Sequence, residues 1–190
     1  MRRLWRTAMV GVVAGGLAVV GLLGAPAEAT SHPYCGQAWG SLPKQLGNND
    51  PGVPGNYLTD VRGGRHECFD RLVFDLTGPA SGYRVEYVAQ VVSDGSGEPI
   101  PLRGGAFLSI VLAAAAHDLN GQPTYNPPNR SEAVNVTGFT TFRQVAFGGT
   151  FEGVTTFGLG VRARLPFRVF VLAGPGSGSR MIVDVSHRWV

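Results

Sequence analysis

Short apolar runs separated by turn residues start near His66 and continue to the end of the chain. Residues 71–76 form the first such run, which stops at a Gly-Pro pair and predicts a strand. In residues 83–91, apolar side chains at every second position alternate with charged or amide side chains. Because a strand turns successive side chains to opposite faces, this alternation predicts a strand with one buried face.

The same pattern predicts six more strands further along the chain, at residues 106–113, 142–147, 150–154, 155–164, 167–172 and 180–185. The alanine-rich end of the first of these is also compatible with a helix, although alternate apolar positions at 108, 110 and 112 favour a strand. Residues 119–129 are polar and rich in proline, which predicts a loop. Short strands at close spacing, with Gly and Pro between them, are typical of an all-β sandwich or barrel of antiparallel strands.

Two of the predicted strands carry one motif, an arginine followed four residues later by an aspartate. They are Arg71-Leu-Val-Phe-Asp75-Leu and Arg180-Met-Ile-Val-Asp184-Val. In each strand the arginine and the aspartate share one face, and three apolar side chains share the other. If the two strands pair antiparallel, Arg71 would face Asp184 and Arg180 would face Asp75. Our hypothesis is that these two cross-strand pairs fix the register.

The first 29 residues have the three parts of a secretory signal peptide. Three arginines precede an apolar run of about 16 residues, and small residues at Ala27 and Ala29 flank the expected cleavage position. An uncleaved anchor is the alternative, but the run is short for a membrane span of about 20 residues. We therefore expect a secreted, extracytoplasmic protein associated with the cell envelope, with no membrane span after cleavage.

Cleavage after Ala29 would leave 161 residues, which suits one domain with a hydrophobic core. It would remove three of the 16 basic residues and one of the 13 acidic ones, so the net charge would fall from +3 to +1. No basic stripe remains in the mature chain, which argues against a nucleic-acid partner.

Residues 30–61 are rich in Pro, Gly and Asn and predict an irregular N-terminal extension without a packed core. Cys35 and Cys68 are the only cysteines, and in an exported protein a lone pair is most simply a disulfide. The bond would tether the extension to the first strand, with a stabilisation of roughly 3–4 kcal/mol in the chain-entropy model. The alternative is a catalytic thiol beside His66, but nothing basic or helical is placed to lower its pKa.

Six segments carry a combination of motifs that is fairly specific: His66-Glu-Cys-Phe-Asp-Arg-Leu-Val-Phe-Asp75, Gly82-Tyr-Arg-Val-Glu-Tyr87, Ala116-His-Asp118, Phe151-Glu-Gly-Val-Thr-Thr-Phe-Gly-Leu-Gly-Val-Arg162, Pro166-Phe-Arg-Val-Phe170 and Arg180-Met-Ile-Val-Asp-Val185. Together they resemble the AMIN-like domain of secreted actinobacterial proteins, over residues 62–190. The resemblance implies a compact β-sandwich. Through the related AMIN modules of cell-wall amidases and secretins, it also implies an envelope-targeting role, with peptidoglycan as an expected ligand.

Candidate catalytic and metal-binding groups are weak throughout the sequence. The pairs His66-Glu67 and His117-Asp118 are sequence neighbours, which on a strand point to opposite faces, and no spaced cluster of metal ligands occurs. The two carboxylates of residues 94–98 lie in a Gly/Ser turn that falls short of a calcium-binding loop. We therefore predict no catalytic residue, no metal and no cofactor.

The candidate binding surface is the strand at residues 155–164. Its polar face is predicted to carry Thr156, Gly158, Gly160, Arg162 and Arg164. Bare glycines expose backbone to a ligand, and arginines can hold carboxylates by forked hydrogen bonds. The alternative is that an aromatic side chain, from Phe151 or Phe170, lies across the glycines and completes the sheet.

The predicted function is a secreted, non-catalytic module that binds a cell-wall glycan such as peptidoglycan, or another wall polymer. One alternative is a protein-interaction domain that docks an envelope protein through an open sheet edge. A secreted hydrolase is the third alternative, and a pocket with convergent histidine and carboxylate groups would favour it.

Overall fold

The computed structural model describes residues 34–47 and 54–189. Short 3-10 turns occur at Tyr34–Gly36 and Arg130–Glu132. Within the described ranges the strands are β1 (Lys44–Leu46), β2 (Leu58–Arg65), β3 (Phe69–Leu76), β4 (Tyr83–Val88), β5 (Val91–Val92), β6 (Pro99–Ile100), β7 (Ala106–Leu112), β8 (Phe142–Phe151), β9 (Val154–Val161), β10 (Phe167–Ala173) and β11 (Ser179–Ser186). No helix in these ranges is long and apolar enough to cross a membrane.

Two antiparallel sheets pack face to face and form a β-sandwich, which confirms the predicted fold class. One sheet has five strands in the order β1-β4-β7-β9-β8, and the other has four in the order β10-β11-β3-β2. The strands β5 and β6 form a separate two-stranded ribbon. Every strand pairing within the described residues is antiparallel.

The core lies between the two sheets because alternate side chains of the strands are apolar. Leu72 and Phe74 of β3 face Phe157 and Leu159 of β9, and all four are fully buried. The rings of Phe74 and Phe157 meet edge to face, with their centroids 5.1 Å apart. Burying each such side chain contributes roughly 1.5–3 kcal/mol, so this contact between the sheets is a main source of stability.

The prediction of a separate strand at residues 150–154 is wrong, because a hairpin turn at Glu152 and Gly153 divides this segment between β8 and β9. β8 continues to Phe151, β9 begins at Val154, and these two residues are register partners. The connecting residues Glu152 and Gly153 both have positive φ, of 48° and 81°. That conformation belongs to tight two-residue hairpin turns, in which Asn or Asp usually stands where this chain has Glu. The usual sequence signal for the turn is therefore missing.

The predicted irregular extension contains strands that the sequence pattern did not show. β1 pairs with β4, and β2 begins at Leu58, within residues 30–61, and pairs with β3. Both are edge strands held by their neighbours, and Leu58 is fully buried. The predicted disulfide is confirmed, since Cys35 and Cys68 are joined with their Cα atoms 6.4 Å apart. The predicted signal peptide at residues 1–29 lies outside the described residues.

The predicted register between the two repeated motifs is confirmed, but only one of the two ion pairs forms. β3 and β11 pair so that Arg71 is opposite Asp184 and Arg180 is opposite Asp75. Arg71 donates two hydrogen bonds to Asp184, of 2.6 and 2.8 Å. The second predicted ion pair is wrong, because Arg62 of β2 binds Asp75 at 2.8 Å.

Candidate functional site

The predicted contact surface on β9 is largely covered in the folded protein. Thr156, Gly158 and Gly160 lie on the outer face of the five-stranded sheet, and all three are buried. A Cβ added at Gly158 would be 2.8 Å from the Leu102 side chain, and one at Gly160 would collide with the backbone oxygen of Arg103. The prediction of exposed backbone at these glycines is therefore wrong, because another segment packs on it.

The covering segment, residues 99–105, is fastened to the sheet by side-chain hydrogen bonds. The amide nitrogen of Arg103 donates to Oε1 of the buried Gln144 at 2.7 Å. The guanidinium of Arg103 binds the carboxylate of Glu132. The alternative prediction was right that the glycines are covered, but neither Phe151 nor Phe170 covers them.

The two arginines of the predicted surface are exposed, and their side chains contact other residues than those that cover the glycines. The guanidinium of Arg162 donates to the backbone oxygen of His187. That of Arg164 lies over the Tyr87 ring, 5.0 Å from its centroid. The structure therefore does not bring the five predicted residues together as one open surface, and ligand binding by them stays a prediction.

Three adjacent depressions offer a different candidate site, along the outer face and one edge of the five-stranded sheet. The middle one, the Arg130 depression, has a volume of about 460 Å³. The Tyr57 depression has about 390 Å³ and is lined largely by loop residues. The Thr156 depression has about 410 Å³ and lies over β7 and β9.

The three depressions form a series because neighbours share lining residues. His117 and Gly121 line both the Tyr57 and the Arg130 depressions. Ser93 and Asp94 line both the Arg130 and the Thr156 depressions. We call this series the loop trough, since the rims between its parts are formed by two loops.

The rim between the Tyr57 and Arg130 depressions is the loop that carries His117. Asp118 fixes this loop by accepting hydrogen bonds from the amide nitrogens of Asn120 and Gln122, both at 2.8 Å. These bonds, chiefly the one from Gln122, hold the pKa of the Asp118 carboxyl below its usual value. The exposed His117 ring places Nδ1 3.0 Å from the Asp118 backbone oxygen. Since that oxygen only accepts, a neutral ring carries its proton on Nδ1 and leaves Nε2 as an acceptor.

Arg130 contributes a cation to the middle of the trough. Its guanidinium lies 4.8 Å from the centroid of the Phe147 ring, a cation–π contact. Gly149 has a φ of 107°, and a Cβ there would be 2.8 Å from Nη2 of Arg130, so a glycine is needed at this position. Within the described residues, the guanidinium makes no hydrogen bond, and all its donors remain available to a ligand.

Tyr125 and Phe147 give the Arg130 depression an aromatic wall. Their rings meet edge to face with centroids 5.4 Å apart. Burial raises the pKa of Tyr125 to about 12, and its hydroxyl has no hydrogen-bond partner among the described residues. Tyr125 therefore stays neutral at physiological pH and acts here as an apolar wall.

The rim between the Arg130 and Thr156 depressions is tied to the sheet. Ser93 donates from its hydroxyl to the backbone oxygen of Gly148 at 2.9 Å. Beyond this rim, Thr156 lines the depression together with Ser109 of the neighbouring strand. The Thr156 hydroxyl is buried and has no partner among the described residues. Thr156 is thus the one residue of the predicted surface that also lines the trough.

The trough has the composition of a binding site. Its ionisable lining residues are Tyr57, Asp94, His117, Asp118, Tyr125 and Arg130. Among the described residues, no group of three or more His, Cys, Asp or Glu side chains could hold a metal ion. Sequence reasoning missed Arg130, Asn126 and Tyr125. The available signal was the long connection from Leu112 to Phe142, since loops of such length are usually functional.

Comparison with known proteins gives one match. The family model of the AMIN-like domain matches residues 56–187. No curated protein and no solved structure matches this chain. The matched region spans β2 to β11 and includes the lining of the loop trough except Pro54 and Gly55. The chain belongs to the AMIN-like domain family.

Proposed function

We propose that this protein is a non-catalytic binding module of the cell envelope that holds an extended glycan of the wall in the loop trough. The family supports the setting, since AMIN-like domains are typical of extracytoplasmic, cell-wall-related modules. The series of three depressions with shared rims carries the proposal. A compact ligand needs one pocket, whereas an extended polymer can contact several adjacent depressions at once.

The lining suits an uncharged polymer rich in hydroxyl and amide groups. Arg130 and Asn126 can donate hydrogen bonds, and Asp94 and Nε2 of His117 can accept them. In the Arg130 depression the formal charges of Arg130 and Asp94 cancel while His117 is neutral, and Asp118 adds a single negative charge in the Tyr57 depression, so no cluster of like charges selects an ionic ligand here. The Tyr125 and Phe147 rings offer apolar surface to the carbon-bearing faces of a sugar.

Co-sedimentation with purified, protease-treated cell wall tests this proposal, and the chain offers a matched pair of variants. Arg130 and Arg164 are both exposed and both lie over an aromatic ring, at 4.8 and 5.0 Å. Losing one charge-assisted hydrogen bond should weaken binding about tenfold in Arg130→Ala. Arg164→Ala, outside the trough, should bind as the unmodified protein does.

The two variants also distinguish binding in the trough from binding at the surface predicted from the sequence. Weakening by Arg164→Ala alone would transfer the site to the two arginines of the sequence-predicted surface, Arg162 and Arg164, and contradict binding in the trough. If the unmodified protein pellets only with wall that has not been treated with protease, its partner is an envelope protein, and the glycan proposal is wrong.

A further inference from the structure

A second pocket lies on the opposite sheet, on the outer face of the four-stranded sheet. It has a volume of about 250 Å³, and three arginines and a histidine supply its polar lining: Arg62, His66, Arg71 and Arg180. Its apolar lining comes from Val73, Leu172 and Ile182. We call it the arginine pocket. Among the residues that the structure describes, no carboxylate belongs to its lining.

The nearby carboxylates already have partners. Asp184 binds Arg71 at 2.6 Å and Arg168 at 2.7 Å, and Asp75 binds Arg62 at 2.8 Å. Asp60 accepts a hydrogen bond from the amide nitrogen of its neighbour Val61. Arg180, which has no carboxylate, donates only to the backbone oxygens of Gly174 and Ala173, at 3.2 and 3.4 Å. Arg180 thus makes no ion pair within the described residues.

The three arginines are held by the protein in the same way, which orders their guanidinium groups before a ligand binds. In each of them Nε and Nη2 hold the protein partner, and Nη1 makes no hydrogen bond within the described residues. The protein contacts therefore fix the three guanidinium planes while leaving one donor group of each for a ligand. Fixed donors lose little conformational entropy when they bind, which favours an anion in this pocket.

We propose that the arginine pocket binds an oxyanion, a phosphate or a carboxylate, carried on a larger molecule. Guanidinium groups bind both anions by strong charge-assisted hydrogen bonds. The pocket is smaller than the usual range of about 300–1,000 Å³ for drug-sized ligands, which suits a single anionic group with a few attached carbon atoms. The apolar lining formed by Val73, Ile182 and Leu172 accommodates those carbons. This site is separate from the loop trough and independent of the proposed function.

NMR titration with inorganic phosphate tests the proposal, and a parallel titration uses acetate. In both, the added salt replaces sodium chloride so that the ionic strength stays constant. Saturable shifts should appear at the backbone amides of Gly64 and Ile182 and at the side chain of Arg180. The arm with the lower dissociation constant identifies the preferred anion. Shifts that are absent, or that spread equally over all arginines without saturating, would overturn the proposal.

Variants assign the binding to Arg180. Arg180→Gln should weaken anion binding about fivefold or more, and Arg180→Lys should recover part of it by restoring the charge without the fork. Arg143→Gln is the matched control, because the Arg143 guanidinium, on the other sheet, also donates only to backbone oxygens within the described ranges. Equal affinity in Arg180→Gln and Arg143→Gln would contradict the site. If Arg180→Gln does not fold, Arg62→Gln takes its place, because it frees Asp75 to bind Arg180 and should weaken anion binding as well.

Discussion

The two ends of the β3–β11 pair carry the same Arg–Asp motif in the same register, yet they differ in their ion pairs. At one end Asp184 is fully buried and binds two arginines, Arg71 and Arg168. At the other end Asp75 keeps 24% of its side chain exposed and binds Arg62, while Arg180 opposite it binds no carboxylate in the part of the chain that the structure describes. The register is symmetric, but the interactions are not.

The difference arises from the outer strands that flank the pair. β10 places Arg168 beside Asp184, where the rings of Phe69 and Phe170 surround both arginines at 4.9–5.4 Å. β2 places Arg62 beside Asp75 in a more open position, with half of the Arg62 side chain exposed. Strand register thus decides which residues are opposite, and neighbouring strands decide which of them pair.

The largest expected effect is that of removing the buried charge of Asp184. Asp184→Asn leaves Arg71 and Arg168 without a counter-charge and should lower the free energy of unfolding by about 3–5 kcal/mol. Asp75→Asn, at the exposed end, should cost about 1 kcal/mol or less. Urea unfolding with the disulfide intact measures both. Equal costs would show that the two ends do not differ as we infer.

Tyr87 and Tyr125 also differ in whether a buried polar group has a partner, since the Tyr87 hydroxyl is hydrogen-bonded and the Tyr125 hydroxyl is not within the described residues. The Tyr87 hydroxyl donates to the backbone oxygen of Leu165 at 2.8 Å and accepts from its amide nitrogen at 3.0 Å. Tyr87→Phe leaves both groups unsatisfied and should cost about 2 kcal/mol, whereas Tyr125→Phe removes an unpaired hydroxyl and should cost about 0.5 kcal/mol or less. Thermal and urea unfolding of the two variants compare these costs. A larger loss in Tyr125→Phe than in Tyr87→Phe would contradict the inference that the Tyr125 hydroxyl is unpaired.

The pH dependence follows from the raised pKa of Tyr125, about 12 in the folded protein against 10.0 for the free side chain. Above pH 10 the unfolded chain releases this proton while the folded protein retains it. The stabilisation is therefore complete below pH 10 and is lost as the pH rises through 12. Tyr125→Phe should thus gain stability relative to the unmodified protein between pH 10 and 12, in urea unfolding at matched pH values. A constant difference across this range would contradict the prediction.

The smallest expected effect concerns the missing ion pair. Arg62→Gln frees Asp75, so Arg180 and Asp75 should form the ion pair that the sequence predicted. A double-mutant cycle for Arg180 and Asp75 should show a coupling of about 0.2–1 kcal/mol in the Arg62→Gln background. The coupling should be close to zero while Arg62 is present. An equal coupling energy in both backgrounds would show that Arg62 does not compete with Arg180 for Asp75.

Much of the fold could be predicted because most strands have a local pattern of alternating apolar and polar residues. Alternating apolar positions gave β3, β4 and β11, and the repeated motif gave the β3–β11 register. The edge strand β1 could not be predicted, since its three residues pair only because β4 lies beside them. The hairpin at Glu152 was missed because its turn lacks the usual Asn or Asp.

The candidate site was harder to predict than the fold because burial and proximity depend on distant segments. Thr156, Gly158 and Gly160 were correctly placed on one strand face, but Leu102 and Arg103 pack on that face from 55 or more residues away in sequence. Arg130 meets Gly149 and Phe147 only after the long loop folds back on the edge strand β8. No local pattern reports such contacts.

The sequence by itself determined the all-β class, the alternation that forms the core, the disulfide partners and the register of the central strand pair. These properties follow from short-range patterns, or from the chemistry of a lone cysteine pair. Only the tertiary structure decided which polar residues pair, which glycines are covered and which loops line a common trough. Those outcomes depend on the competition of segments that are distant in sequence for the same position in space, as Arg62 competes with Arg180 for Asp75.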